Sequence, residues 1–185
     1  MTGKPVAQRH VALLRGINVG RAKRVAMADL RVLVAALGYQ DVRTLLNSGN
    51  IVFTAPGRLH GDPAVRIEQA IASRLGVSAR VTVLTAAEVA AAISDNPLGS
   101  IAENPSRLLV YVLSDPRDRS KLTPLARQQW TPEALALGRR VAYLWCPEGI
   151  LQSRLAVAVD RVLGNAVTAR NWNTMTKLHA LTREG

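Results

Sequence analysis

A stretch rich in Asn, Pro, Gly and Ser, DNPLGSIAENPS at residues 95–106, divides the chain into two parts that spell out the same succession of apolar segments. Ahead of it, RHVALLR (9–15) reads as a strand with a buried middle. Leu30, Leu33, Val34 and Leu37 follow the i, i+3, i+4, i+7 spacing of a helix, with Gly38 where a helix-ending glycine belongs. DVRTLL (41–46) and NIVFTA (50–55) are strands joined through Asn47, Ser48 and Gly49 as a tight hairpin. Asp62 then Pro63 is an N-cap followed by proline at the first helical position. Ile67, Ile71 and Leu75 form that helix's apolar stripe, and Gly76 closes it. ARVTVL (79–84) is a strand, and Thr85 to Glu88 has the spacing of a capping box opening another helix.

Beyond the break the order returns. RLLVYVL (107–113) is a strand. Asp115-Pro116 starts a helix that Pro124 interrupts or ends. EALAL (133–137) and RVAYLWC (140–146) flank Gly138 as a second hairpin. Residues 149–163 read as one helix ending at Gly164, AVTA (166–169) as a short strand and NWNTMTKLHALTRE (171–184) as a helix. The repeat is one of order, without residue identity between the halves. Split βαβ units of this order form ferredoxin-like layers. The expected class is α+β, with two ferredoxin-like (βαββαβ) subdomains whose antiparallel sheets carry helices on one face. The expected division is 1–95, a 96–106 linker, and 107–185. In this order the first and third strands are expected to run parallel. That would set Arg15–Gly20 and Asn47–Asn50 at opposite edges of one sheet.

The 185 residues are 48% hydrophobic but only 4% aromatic, so the cores must be built from Leu, Val, Ile and Ala. The formal net charge of +11 can attract nucleic acid, anionic lipid or phosphorylated ligands. The arginines are scattered, however, and their excess over lysine matches the usage of GC-rich genomes, so charge alone singles out no partner. One cysteine, Cys146, excludes an intramolecular disulfide and a cysteine-based zinc site. Within its apolar run it reads as a small buried hydrophobe. The three histidines, His10, His60 and His179, fall in separate elements without ligand spacing, and no carboxylate pair is set for acid–base work. No metal or other cofactor is expected. No run reaches the ~18 apolar residues of a membrane span, so a soluble cytoplasmic protein without membrane partners is expected.

Three segments concentrate polar chemistry. The first is Arg15-Gly16-Ile17-Asn18-Val19-Gly20, followed by Arg21, Lys23 and Arg24. Glycines let a ligand approach the backbone, successive N–H groups form an anion nest, and arginine offers a bidentate fork. This spacing is neither a Walker loop nor the dinucleotide fingerprint. The second is Asn47-Ser48-Gly49-Asn50, whose residues are also ordinary turn formers. The third is Arg170-Asn171-Trp172-Asn173-Thr174, with Lys177 one turn on. There Asn171 or Asn173 can cap the last helix, Trp172 is expected to be largely buried, and a helix N-terminus suits an anion. The candidate ligand-binding set is therefore Arg15, Gly16, Asn18, Gly20, Lys23, Asn47, Ser48, Asn50, Arg170, Asn171, Asn173, Thr174 and Lys177. Cys146-Pro147-Glu148-Gly149 reads as mainly structural.

ALLRGINVG (12–20), Lys23-Arg24-Val25 with Met27, LNSGNIVF (46–53), Asn96-Pro97, YLWCPEGI (143–150) and RNWNTMTKL (170–178) together resemble domain-of-unknown-function family 1697, a group of uncharacterised bacterial proteins. The resemblance spans nearly the whole chain and implies a pair of ferredoxin-like subdomains. It supplies no catalytic residue. The chain departs from the family pattern at Arg21, where a second glycine is usual, at Leu98, where Phe is common, and at Gln152 and Arg154, where Gly and Lys are typical. The signature blocks favour a small anionic ligand, a nucleotide or phosphorylated metabolite, in an inter-subdomain cleft. A nucleic-acid module and a protein-interaction scaffold are the alternatives. Against RNA reading on the sheet, only Phe53 is available to stack on a base.

Overall fold

The computed structural model describes residues 7–18, 24–57 and 61–184. Contacts divide the chain into two units, Met1–Ala87 with Ala180–Gly185, and Glu88–His179. The 96–106 stretch expected as a linker is free of regular structure and falls inside the second unit.

In the first unit, strands β1 (Gln8–Arg15), β2 (Gln40–Leu45), β3 (Asn50–Ala55) and β4 (Arg80–Thr85) form one sheet in the order β2-β3-β1-β4. Helices α1 (Met27–Ala36) and α2 (Pro63–Ala70) pack on one face. Leu30, Leu33 and Val34 of α1, and Ile67, Ala70 and Ile71 from α2 and the turn after it, meet Ala12, Leu14, Ile51 and Phe53 of the sheet. Each large apolar side chain buried this way contributes about 1.5–3 kcal/mol. Asp62 caps α2 through the Ala64 N–H, as its Asp-Pro sequence requires. After Ala70 the helix widens into a π turn over Ile71–Leu75, ending at Gly76 with φ 62°. Apolar residues spaced strictly four apart drift round an α-helix, and a wider turn brings the last step back toward the core.

The expected parallel pairing of the first and third strands is corrected: β1 and β3 are antiparallel, with Leu13 opposite Asn50. The crossover through α1 returns the chain so that β2 runs parallel to β1, and the hairpin then reverses it into β3. The end of β1 and the β2–β3 turn therefore lie side by side, not at opposite edges.

The second unit repeats the arrangement. Strands β5 (Leu108–Leu113), β6 (Ala134–Leu137), β7 (Val141–Trp145) and β8 (Val167–Asn171) pair in the order β6-β7-β5-β8, all antiparallel neighbours. Helix α5 (Arg154–Leu163) places Leu155, Ala156, Val159 and Leu163 on Leu109, Tyr111, Ala142 and Leu144. Tyr143 donates its hydroxyl to the Ala92 carbonyl (2.9 Å) of α3 (Ala86–Ser94), and burial pushes its pKa up to about 12.

Two segments differ from the sequence reading. Pro116–Leu122 winds as a 3-10 helix, and Pro124 opens the one-turn α4 (Thr123–Ala126) rather than ending a helix. Proline lacks the N–H an interior position needs and fits the first turn. The expected helix over 149–163 is broken. Ile150–Gln152 is a short 3-10 turn, and Ser153 restarts the chain as the N-cap of α5, its Oγ accepting the Ala156 N–H at 2.8 Å. Glu133, from the approach to β6, also accepts the Leu155 N–H at 3.1 Å, so two acceptors hold this start. Among the described residues no helix is long and apolar enough to cross a membrane, and no group of His, Cys, Asp and Glu is arranged to hold a metal.

Candidate functional site

The apolar run of β1 delivers Arg15 to the end of the strand, half-buried, in register with Arg80 of β4. Gly16 follows with φ 86°, and Asn18 has φ 54°. A side chain at Gly16 would have room, its nearest neighbour being the Ser78 carbonyl at 3.8 Å, so the glycine answers to backbone conformation rather than space. Asn18 tolerates the left-handed region and uses its whole amide internally. Its Nδ2 donates to the Val25 carbonyl (3.0 Å) and the Asn47 carbonyl (2.8 Å), and its Oδ1 accepts the Val25 N–H (2.7 Å). One side chain thus joins the loop's exit at Val25 to the β2–β3 turn. Gly20, Lys23 and Arg21 lie outside the described residues. Arg24 is exposed and leads into the buried Val25.

The neighbouring turn is closely fitted. The Leu14 N–H donates to the Gly49 carbonyl at 2.8 Å. Gly49 has φ 76°, and a Cβ there would fall 2.6 Å from Ile17 Cδ1 and 2.7 Å from Leu14 Cβ. Asn50 is fully buried, its Nδ2 donating to the Leu45 carbonyl (2.8 Å) and Ser48 Oγ (3.0 Å). Asn47 and Ser48 are exposed. The first two polar segments therefore form one structure, in which Asn18 and Asn50 set the backbone and Arg15, Gly16, Asn47 and Ser48 border its surface.

The third segment lies at the start of α6 (Trp172–Arg183). Asn171 Oδ1 accepts from the Thr174 N–H (2.9 Å) and Thr174 Oγ1 (2.8 Å), so Asn171 is the cap. Asn173 and Lys177 are exposed and Thr174 is buried. Arg170 donates to the Ala169 carbonyl at 2.8 Å, and burial brings its pKa down to about 10. Trp172 is half-buried, not largely buried as expected. Met175 and Leu178, one turn further on, are the fully buried side chains of this helix. Asn171→Ala should cost about 1 kcal/mol in chemical denaturation, the usual loss of an asparagine cap. An unchanged unfolding midpoint would remove Asn171 from that role.

A family model of proteins of unknown function, DUF1697, matches residues 7–143. The chain belongs to the DUF1697 family. The conserved bacterial protein SP0830 from Streptococcus pneumoniae has a similar structure, with a TM-score of 0.78 at 22% identity over 97% of this chain and all of that one. No curated protein matches the chain.

One position of this DUF1697 chain bears on chemistry in a way the sequence reading did not capture. Arg80 lies directly opposite Arg15, a pairing set by strand register rather than by any local motif. Glu68 is the carboxylate beside it, 3.8 Å from Arg80 Nη1, with its other oxygen accepting the Val81 N–H. Cys146 is buried, as its apolar run implied, and donates to Ser153 Oγ at 3.3 Å. Burial pushes its thiol pKa up, the opposite of what an activated nucleophile needs. Phe53 is fully buried, 4.6 Å from the Tyr39 ring and stacked with His10 at 5.5 Å, so it offers no face to a base.

Proposed function

We propose that this chain binds a small anionic ligand, a nucleotide or phosphorylated metabolite, at the turn that follows β1. The observation that carries this reading is the Arg15–Arg80 pair. Residues directly opposite in an antiparallel sheet share a face, so strand register sets two guanidiniums side by side, with the Glu68 carboxylate 3.8 Å from Arg80. An anion held between the two guanidiniums gains charge-assisted contacts from both. The glycine turn at Gly16 supplies main-chain N–H groups without side-chain obstruction, and the exposed Ser48 adds a polar group at its border. Asn18 and Asn50 are positioning residues here, since their amides are committed to the backbone. The buried Phe53 weighs against base stacking on this sheet.

Differential scanning fluorimetry with inorganic phosphate, nucleotides, sugar phosphates and short oligonucleotides tests this. A ligand at 100 times its Kd stabilises by about 2.7 kcal/mol, a shift of several degrees for a chain of this size. Arg15→Ala and Arg80→Ala should each abolish the shift while leaving the free protein's melting within a degree or two. A shift that survives both substitutions, or no shift with any probe, overturns the reading. Binding confined to oligonucleotides, weakening steeply with salt, would transfer the site to nucleic acid.

A further inference from the structure

The short turn Ile150–Gln152 and the outer face of α5 carry a surface that the β1 turn does not involve. Leu151 is 92% exposed and Val157 is 56% exposed, with Ile150 and Val162 also open to solvent. Arg154, Val157, Ala158 and Arg161 recur at intervals of three and four and form one stripe along α5, and Leu151 of the preceding turn lies beside it. They line a groove of about 310 Å³. The inner face of the same helix, Leu155, Ala156, Val159 and Leu163, already fills the core, so the outer stripe is not needed for folding. Among the described residues neither Arg154 nor Arg161 is in an ion pair.

We infer that this groove docks an acidic, apolar-centred segment of a partner protein. Arg154 and Arg161 are seven residues apart, so their charges stand about 10 Å apart along the helix axis. A segment carrying carboxylates at that separation pairs with both, and an apolar side chain between them seats on Leu151, Val157 and Ala158. A contiguous apolar stripe rimmed by charge is the character of a protein-binding surface. A second copy of this chain docking patch to patch would set these arginines against themselves, and the chain's net charge of +11 adds to that repulsion. The stripe has no aromatic ring on which a base could stack.

Random peptides displayed on phage can be selected against the immobilised full chain, and the winners remade with a fluorophore for anisotropy. The expected pool pairs Asp or Glu on both sides of Leu, Ile, Met or Phe. Leu151→Asp, Arg154→Glu and Arg161→Glu should each weaken binding tenfold or more. Their melting should match the parent protein, because all three side chains face solvent. Reversing one peptide carboxylate to lysine should restore binding to Arg154→Glu or Arg161→Glu. A pool without the acidic–apolar pattern, or binding indifferent to these substitutions, overturns the inference. So does binding of phosphatidylserine vesicles or of an oligonucleotide that Leu151→Asp and Arg154→Glu abolish while no peptide is selected. Concentration-dependent self-association lost in the same variants would assign the face to a second copy instead.

Discussion

Gly49→Ala should destabilise the protein by about 3 kcal/mol, with overpacking and left-handed strain adding together. The new Cβ would lie 2.7 Å from Leu14 Cβ, which is fixed in the middle sheet strand β1, and 2.6 Å from Ile17 Cδ1. Ile17 has a rotamer to move to, but it is itself buried, and Leu14 Cβ has no such freedom. The φ of 76° adds a penalty that no repacking relieves. Relief therefore requires the β2–β3 turn to lift away from β1, breaking the Leu14–Gly49 backbone hydrogen bond. Chemical denaturation reads the loss, and amide exchange at Leu14 should quicken more than at strand centres. A variant as stable as the parent would show that the two turns are not closely packed.

Asn18→Ala should cost about 2–3 kcal/mol. Three hydrogen bonds disappear, each with a net value of about 0.5–1.5 kcal/mol and partly replaced by water at this half-exposed position. Alanine at φ 54° adds about 1 kcal/mol of conformational strain. Asn18→Gly separates the two terms, since it removes the same hydrogen bonds without the strain and should be the less damaging by about that amount. If both variants lose nothing, the amide does not organise the loop. If the anion reading holds, both should also weaken the ligand-dependent thermal shift. Arg15→Ala should instead remove that shift with little loss of stability, and this contrast separates a positioning residue from a binding one.

Much of the architecture was legible from local chemistry. The Asp62-Pro63 start of α2, the glycine at its end, the hairpins at Asn47–Gly49 and Gly138, and the Asn171 cap all depend on residues within one turn of each other. Such signals survive in sequence because the partners are neighbours along the chain. The reading failed where two local preferences competed. Residues 149–163 have helical periodicity throughout, yet Ser153 caps a new helix inside the run, helped by Glu133 from the approach to β6, twenty residues earlier. Trp172 sits beside the cap rather than on the buried face that Met175 and Leu178 occupy.

By itself the sequence determined the α+β class, the twofold βαββαβ order, the structural nature of Cys146 and the segments in which polar chemistry concentrates, since each follows from periodicity, turn residues and composition. Only the tertiary structure decided which of those segments meet. Strand direction placed the end of β1 beside Asn47–Asn50, and register placed Arg80 opposite Arg15. It also showed that the amides of Asn18 and Asn50 are committed to backbone groups. The physical reason is that strand pairing joins residues far apart in the chain through backbone hydrogen bonds, which are the same for every side chain. The sequence of either strand alone therefore does not encode the partner or the register.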